Sequence, residues 1–176
     1  EVLYPAKIDK NLKTKIFDVN NKVINVLGIS EGLTHSEYII DKKGECFLLE
    51  TANRGGGVLT SGLIVPELSN VNVSKLLLMR ALKKEFKIKP LSFNKTIILY
   101  FLKFKNGKVK KIDGFEESKK INGVLFLKLN FNKKDELNTP ESGAGRHGIL
   151  IVKCSNEKKC RDIISRVRKN LQVQYY

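Results

Sequence analysis

Glu37, Glu50, Arg54 and the run Gly55–Gly57 crowd into one stretch, Thr34 to Gly57, with the sequence THSEYIIDKKGECFLLETANRGGG. Two carboxylates that converge repel one another unless a cation lies between them. Magnesium suits such a pair, because it accepts one or two carboxylates and completes its octahedron with phosphate oxygens and water. An arginine can hold a phosphoryl or carboxylate group in a bidentate fork. A bare glycine backbone lets a ligand approach N–H groups that bind anions. These residue types together could make a site for metal-bound phosphate.

The elements that must position them are two strands and a turn. His35 to Ile40 is rich in aromatic and β-branched residues, and Cys46 to Ala52 is an apolar run long enough for a buried strand. Asp41-Lys42-Lys43-Gly44 between them is a turn, with glycine available for a positive φ. With Ile40 facing Glu45, Glu37 faces Leu48 and Glu50 becomes its diagonal neighbour, roughly 7–8 Å away. Ala52 and Arg54 continue along that face by the period of two. A slip of one residue would destroy the convergence. Glu50 directly follows Cys46-Phe47-Leu48-Leu49, where a charge is costly without a partner.

Around the hairpin, Asp9 is a good N-cap for a helix running to Leu27, and Leu12, Ile16, Val19, Val23 and Leu27 form its expected core face. Gly28 ends it. Val58 to Asn72 reads as a long connection in which Ser61 and Gly62 could line an acceptor site. Asn72 caps a second helix, Val73 to Glu85, which Pro90 brings to an end. Beyond it, Lys95 to Phe104 and Lys108 to Ile112 flank the hairpin signal Asn106-Gly107. Gly123 to Phe131 and Gly148 to Cys154 read as further strands. Ser155 or Asn156 opens a last helix to about Leu171, with Cys160, Ile163, Ile164, Val167 and Leu171 on one stripe. The expected class is α+β, in two parts: 1–90 and a β-rich 91–176.

The 176 residues are 41% hydrophobic, and no apolar run reaches the length of a membrane span. Cys46, Cys154 and Cys160 have no metal-ligand spacing, so buried free thiols in a reducing cytoplasm are expected. The net charge of +15 permits weak binding to polyanions. Its lysines are scattered, without an arginine-rich arm or an RNA-recognition signature, so specific nucleic-acid recognition is not expected.

The pattern H-x-E, a turn, then G-x-x-x-L-x-E-x-x-x-R-x-G-G resembles the C-terminal lobe of the ATP-grasp superfamily, with the helix leading into LGISEGLTHSEYII part of the same pattern. The flavour is similar to the L-amino-acid ligase and carbamoyl-phosphate-synthase-like branch. The resemblance is good over about Leu3 to Phe86. It implies an antiparallel sheet with packed helices, followed by a small β-rich subdomain ending in a helix. It assigns magnesium (or manganese) binding to Glu37 and Glu50, stabilisation of an acyl-phosphate or transferring phosphate to Arg54, and phosphate contact to Gly55, Gly56 and Gly57. Many members carry an asparagine where this chain has Ala52, which puts the second metal in doubt.

The implied whole enzyme is an ATP-dependent carboxylate–amine or carboxylate–thiol ligase working through an acyl-phosphate, in the cytoplasm, and related enzymes are often homodimers. Its phosphate-gripping lysines would come from preceding lobes of the same polypeptide, so this chain reads as a C-terminal part that is inactive alone. The alternatives are a carbamoyl-phosphate-synthase-like or carboxylase reaction, and a non-catalytic basic module that binds nucleic acid. In Ser142-Gly143-Ala144-Gly145-Arg146-His147-Gly148 the glycines lead into a strand, which is not the context of a phosphate loop. Related ligases carry a similar loop, from which Arg146 could reach the edge of the nucleotide site. His147 and His35 read first as structural or solvated, although His35 lies close to the carboxylates.

Overall fold

A computed structural model describes residues 1–88 and 93–176. Pro90, the expected stop of the second helix, lies outside the described residues. The chain forms two compact units, one made of Glu1–Pro5 with Phe93–Tyr176 and one made of the described residues of Ala6–Ser92.

In the second of these, α1 (Lys10–Val26) starts where Asp9 accepts the Leu12 N–H at 2.8 Å. Strands β2 (His35–Ile40) and β3 (Cys46–Ala52) pair antiparallel as an isolated two-stranded sheet. A π-helical turn (Thr60–Ile64) runs directly into α2 (Val65–Ser69), and α3 (Val73–Ala81) follows. The expected long connection is therefore mostly helical. Pro66 sits in the first turn of α2, where its missing N–H costs nothing, so it starts a helix there. Asn72 caps α3 by accepting the Lys75 N–H at 2.9 Å, as expected. The helix ends four residues before Glu85, because Lys83 takes a left-handed φ of 52°.

Two burial expectations are corrected here. No residue of α1 is fully buried, and its stripe is half-buried at Leu12, Ile16, Val19 and Val23 and exposed at Leu27. Strand β3 is not a buried strand: Phe47, Leu48 and Leu49 are exposed. A two-stranded sheet contacted by one helix lacks the layers to cover both of its faces.

The other unit is a sheet of four strands in the order β1 (Val2–Tyr4), β4 (Thr96–Leu102), β8 (Gly148–Cys154) and β6 (Val124–Leu129), all antiparallel. One face of it packs on α5 (Glu157–Asn170): Ile98, Leu102, Leu150 and Val152 meet Cys160, Ile164, Val167 and Leu171. The stripe read from the sequence is thus the core face of α5, and Asn156 caps the helix by accepting the Lys159 N–H at 3.0 Å. α4 (Phe115–Lys119) packs beside it. A second, three-stranded sheet has the order β7 (Glu136–Leu137), β5 (Gly107–Asp113), β9 (Gln172–Tyr175).

Asn106-Gly107 does not close a hairpin between β4 and β5. Both edges of β4 are taken, by β1 and β8, so β5 pairs elsewhere. Both termini contribute strands, β1 and β9, whose shortness hid them in the sequence.

Candidate functional site

The hairpin brings Glu37 and Glu50 together, by a different route from the one expected. The Asp41 N–H donates to the Glu45 carbonyl and the Gly44 N–H to that of Asp41, with Gly44 at φ 77°. This is a three-residue loop with a left-handed glycine, and the Asp41 carboxylate reinforces it by accepting the N–H groups of Lys43 and Glu45. Ile40 therefore faces Cys46, one residue later than expected, and Tyr38 faces Leu48. Continued regularly, that register would put Glu37 opposite Leu49 and send Glu50 to the other face.

A β-bulge restores the match. The register shifts between Glu37 and Tyr38, so that Leu49 is the extra residue and Glu37 pairs directly with Glu50. Directly paired side chains share a face, their Cβ atoms about 4.5–5.5 Å apart, which is closer than the expected diagonal. His35 and Ala52 pair next along, while Thr51 hydrogen-bonds Ser36 at 3.1 Å on the opposite face. Both glutamates are exposed. Like charges facing across a ladder are unfavourable, so the pair suits a cation held between them. Among the described residues, no group of three or more His, Cys, Asp or Glu is placed to hold a metal ion. Two hard carboxylate donors fit a magnesium ion that takes its remaining oxygens from phosphate and water, rather than an all-protein cage.

His35 is part of this site. Its Nε2 lies 3.3 Å from Glu37 Oε1, and its other side abuts Gly56. A Cβ on Gly56 would sit 2.8 Å from His35 Nδ1, and one on Gly55 would sit 2.3 Å from Ser61 Oγ. Gly56 thus packs closely on the hairpin at His35, and Gly55 on Ser61 of the π-helical turn. Nothing lies within 4 Å of a Cβ at Gly57. Arg54 is exposed and donates one N–H to the Gly55 carbonyl at 2.8 Å. Asn53 points away to bond the Glu31 carbonyl at 3.2 Å.

Val58 and Leu59, directly after the glycines, both adopt left-handed backbone (φ 48° and 61°) before the π-helical turn. A β-branched residue there is uncommon, and such strain clusters at ligand-binding segments. Nothing in the residue types signals it. The Leu49 bulge was equally hidden, since any residue can be the extra one.

Arg146 and His147 lie in the unit that contains β8. The Arg146 guanidinium stacks on the Phe101 ring at 3.8 Å, and its carbonyl accepts from Asn130 at 2.8 Å. His147 is buried: Nδ1 accepts the Phe104 N–H at 3.0 Å, and Nε2 is 2.7 Å from the Asn138 carbonyl. With both ring nitrogens engaged, it is a structural pin, as expected.

Residues 100–176 match the family described as L-amino acid ligase C-terminal domain 2. The L-amino acid ligase of Bacillus licheniformis superposes with a TM-score of 0.81 at 24% identity, over 99% of this chain and 43% of that one. The whole chain has the fold of an ATP-grasp C-terminal lobe. Phosphoribosylglycinamide synthetase of Anaerococcus prevotii gives a TM-score of 0.82 at 18% identity, over 99% and 44% of the two chains. The biotin carboxylase domain of the 2-oxoglutarate carboxylase of Hydrogenobacter thermophilus, solved as a dimer with MgADP, ADP and bicarbonate, gives 0.65 at 15% identity, over 98% and 38%. No curated protein sequence matches the chain. The lobe therefore spans less than half the length of these solved structures. Among its described residues, no helix is long and apolar enough to cross a membrane.

Proposed function

We propose that this ATP-grasp lobe is the C-terminal part of a Mg2+- and ATP-dependent ligase that joins a small carboxylate to an amine through an acyl-phosphate. The direct pairing of Glu37 with Glu50 across the Leu49 bulge carries this reading. The two carboxylates would hold the metal. When bound, Mg2+ (or Mn2+) neutralises charge on the ATP phosphates and polarises the transferred one. His35 orients Glu37 through their 3.3 Å contact. Arg54, one N–H tied to Gly55 and the remainder exposed, would receive the acyl-phosphate, with the backbone of Gly55, Gly56 and Gly57 beside it. Arg146, already stacked on Phe101, would contribute at the nucleotide edge from its glycine-rich loop.

The match of residues 100–176 to an amino acid ligase domain supports a ligase over a carboxylase. The MgADP and bicarbonate bound by the Hydrogenobacter carboxylase domain support the cofactor assignment. The exposed apolar side chains around the hairpin support a partner for this unit, namely preceding lobes of the same polypeptide that also bring the groups gripping the outer phosphates. The setting proposed is the cytoplasm, and a homodimer is compatible with it.

The test is phosphate release from ATP by the longer protein with Mg2+, screened against pools of amino acids and small carboxylates. Release that depends on a carboxylate and an amine, and that disappears in Glu37→Gln and Glu50→Gln, is expected. Absence of ATP binding by the folded longer protein would overturn the reading.

A further inference from the structure

The unit that carries β8 and α5 contains a feature the ligase reading does not use. β8 ends at Cys154, and α5 begins three residues after it at Glu157, with Cys160 in its first turns. Strand side chains alternate, so Cys154 shares a face with Leu150 and Val152, the face covered by α5. Cys160 is fully buried beneath that helix, its Sγ 3.4 Å from the Thr96 carbonyl and 3.8 Å from that of Val152. Thr96 is the ladder partner of Cys154. The Cys160 sulfur therefore lies against the strand positions that flank Cys154. Cys154 is only half-buried, and its sulfur lies 3.4 Å from where a Cβ on Gly123 would sit. Both thiols are free.

We propose that Cys154 and Cys160 form a peroxide-sensitive dithiol that closes to an intramolecular disulfide, clamping the first turns of α5 to the end of β8. This stands independently of the ligase reading. The thiolate of Cys154, the more accessible sulfur, attacks one oxygen of hydrogen peroxide; the O–O bond breaks, hydroxide leaves to become the first water, and Cys154 becomes the sulfenic acid. The Cys160 sulfur then attacks the Cys154 sulfur. The S–S bond forms, the S–O bond breaks, and hydroxide leaves, taking up the proton from Cys160 as water. The balance is two thiols and one hydrogen peroxide giving one disulfide and two waters. Burial pushes the Cys160 thiol up, to about 12, and the adjacent Cys154 thiol adds to the shift. Cys160 is thus not the sulfur that attacks the peroxide.

The experiment treats the reduced chain with graded hydrogen peroxide, quenches it, and labels free thiols with N-ethylmaleimide under denaturing conditions before mass spectrometry. The expected result is a peptide pair joined through Cys154 and Cys160, lighter by two hydrogens. Labelling of both should fall together about tenfold and return on dithiothreitol treatment. In Cys154→Ser, Cys160 should keep its label at the same dose. In Cys160→Ala, Cys154 should progress to the sulfinic acid without a cross-link. Sulfinic acid on Cys154 in the unsubstituted chain with Cys160 still labelled would overturn the proposal. So would peroxide-independent labelling of both thiols, or cross-links only between chains.

Discussion

Leu150 and Leu49 are both strand leucines, yet the first is fully buried and the second is 59% exposed. The same contrast runs through the two units. Around β4 and β8, Ile98, Val152 and Val167 are inaccessible, because the central strands are paired on both edges and α5 covers the face that carries Ile98 and Val152; Ile97 and Ile151 on the opposite face are inaccessible as well. In the unit holding the hairpin, only Ile64 and Val73 are buried among the described residues, while Phe17, Phe47, Leu78 and Leu82 join Leu49 outside. Burying each such side chain contributes about 1.5–3 kcal/mol. The unit carrying the candidate chemistry is thus the one that stands to gain most from further packing. The other has completed the core between its sheet and α5. A site between carboxylates must stay open to solvent until its ligand arrives, whereas a core between sheet and helix has no such need.

The sharpest break between the two is Glu50→Gln. In the longer protein it should lower Mg2+-dependent turnover by about a thousandfold, roughly 4 kcal/mol of transition-state stabilisation. The melting temperature should stay level or rise slightly, because the substitution relieves the like-charge pairing with Glu37. Unchanged turnover would remove the hairpin from the chemistry.

Core truncations come next. Leu150→Ala should cost this chain about 3 kcal/mol in denaturant unfolding, as a filled core site is emptied. Leu49→Ala should cost within about 0.5 kcal/mol, since it removes little buried area. Hydrogen exchange should follow the same division, with the amides of β4 and β8 protected far longer than those of β2 and β3. Equal costs for the two leucine variants would mean that the exposed hairpin face is covered in solution.

These contrasts mark how far the sequence could be read. Helix starts were legible wherever a capping side chain fixed them, at Asp9, Asn72 and Asn156, because a cap is a local hydrogen bond. Both hairpin strands and β8 were legible in full from residue type. Burial was not, because the apolar run Cys46–Leu49 has the same composition whether or not something covers it. Register was only half legible. The loop moves the register one residue later than expected and the bulge moves it one more, and the two shifts together return Glu50 to the face of Glu37 as its direct partner. The candidate site was therefore recognisable although its geometry had been drawn differently. Strand partners were least legible: β1 and β9 lie at the two ends of the chain, and nothing local marks a short strand that pairs at a distance.

Capping offers a milder test, because both units use the same device. Asp9→Ala and Asn156→Ala each remove an acceptor for one helix N–H, and each should cost about 1 kcal/mol of local stability. The consequences should differ. Fraying of α5 lifts side chains out of a closed core and should appear in global unfolding. Fraying of α1, none of whose residues is fully buried, should appear mainly as faster exchange at its own first turn. Equal global losses would show that α1 is held as firmly as α5.

The smallest effect separates two ion-paired cations, one in each unit. Lys15 lies 2.9 Å from Glu45 across α1 and the hairpin loop, and Arg161 pairs with both Glu1 and Glu157. A hydrogen bond to Glu45 raises the Lys15 ammonium above its ordinary value of 10.5, and bonds to Glu157 and Glu1 raise Arg161. A raised folded value means stabilisation that is complete below the ordinary value and fades as pH climbs through the folded one. The melting temperatures of Lys15→Met and the unsubstituted chain should therefore differ slightly near neutrality and converge only in strong alkali. Arg161→Met should show no such convergence, because a guanidinium keeps its proton throughout that range. Exposed pairs are screened by salt. Closure of the small Lys15 gap by added salt near neutral pH, leaving the alkaline limit unchanged, would confirm that the contact between α1 and the hairpin is electrostatic at its rim and depends on packing elsewhere.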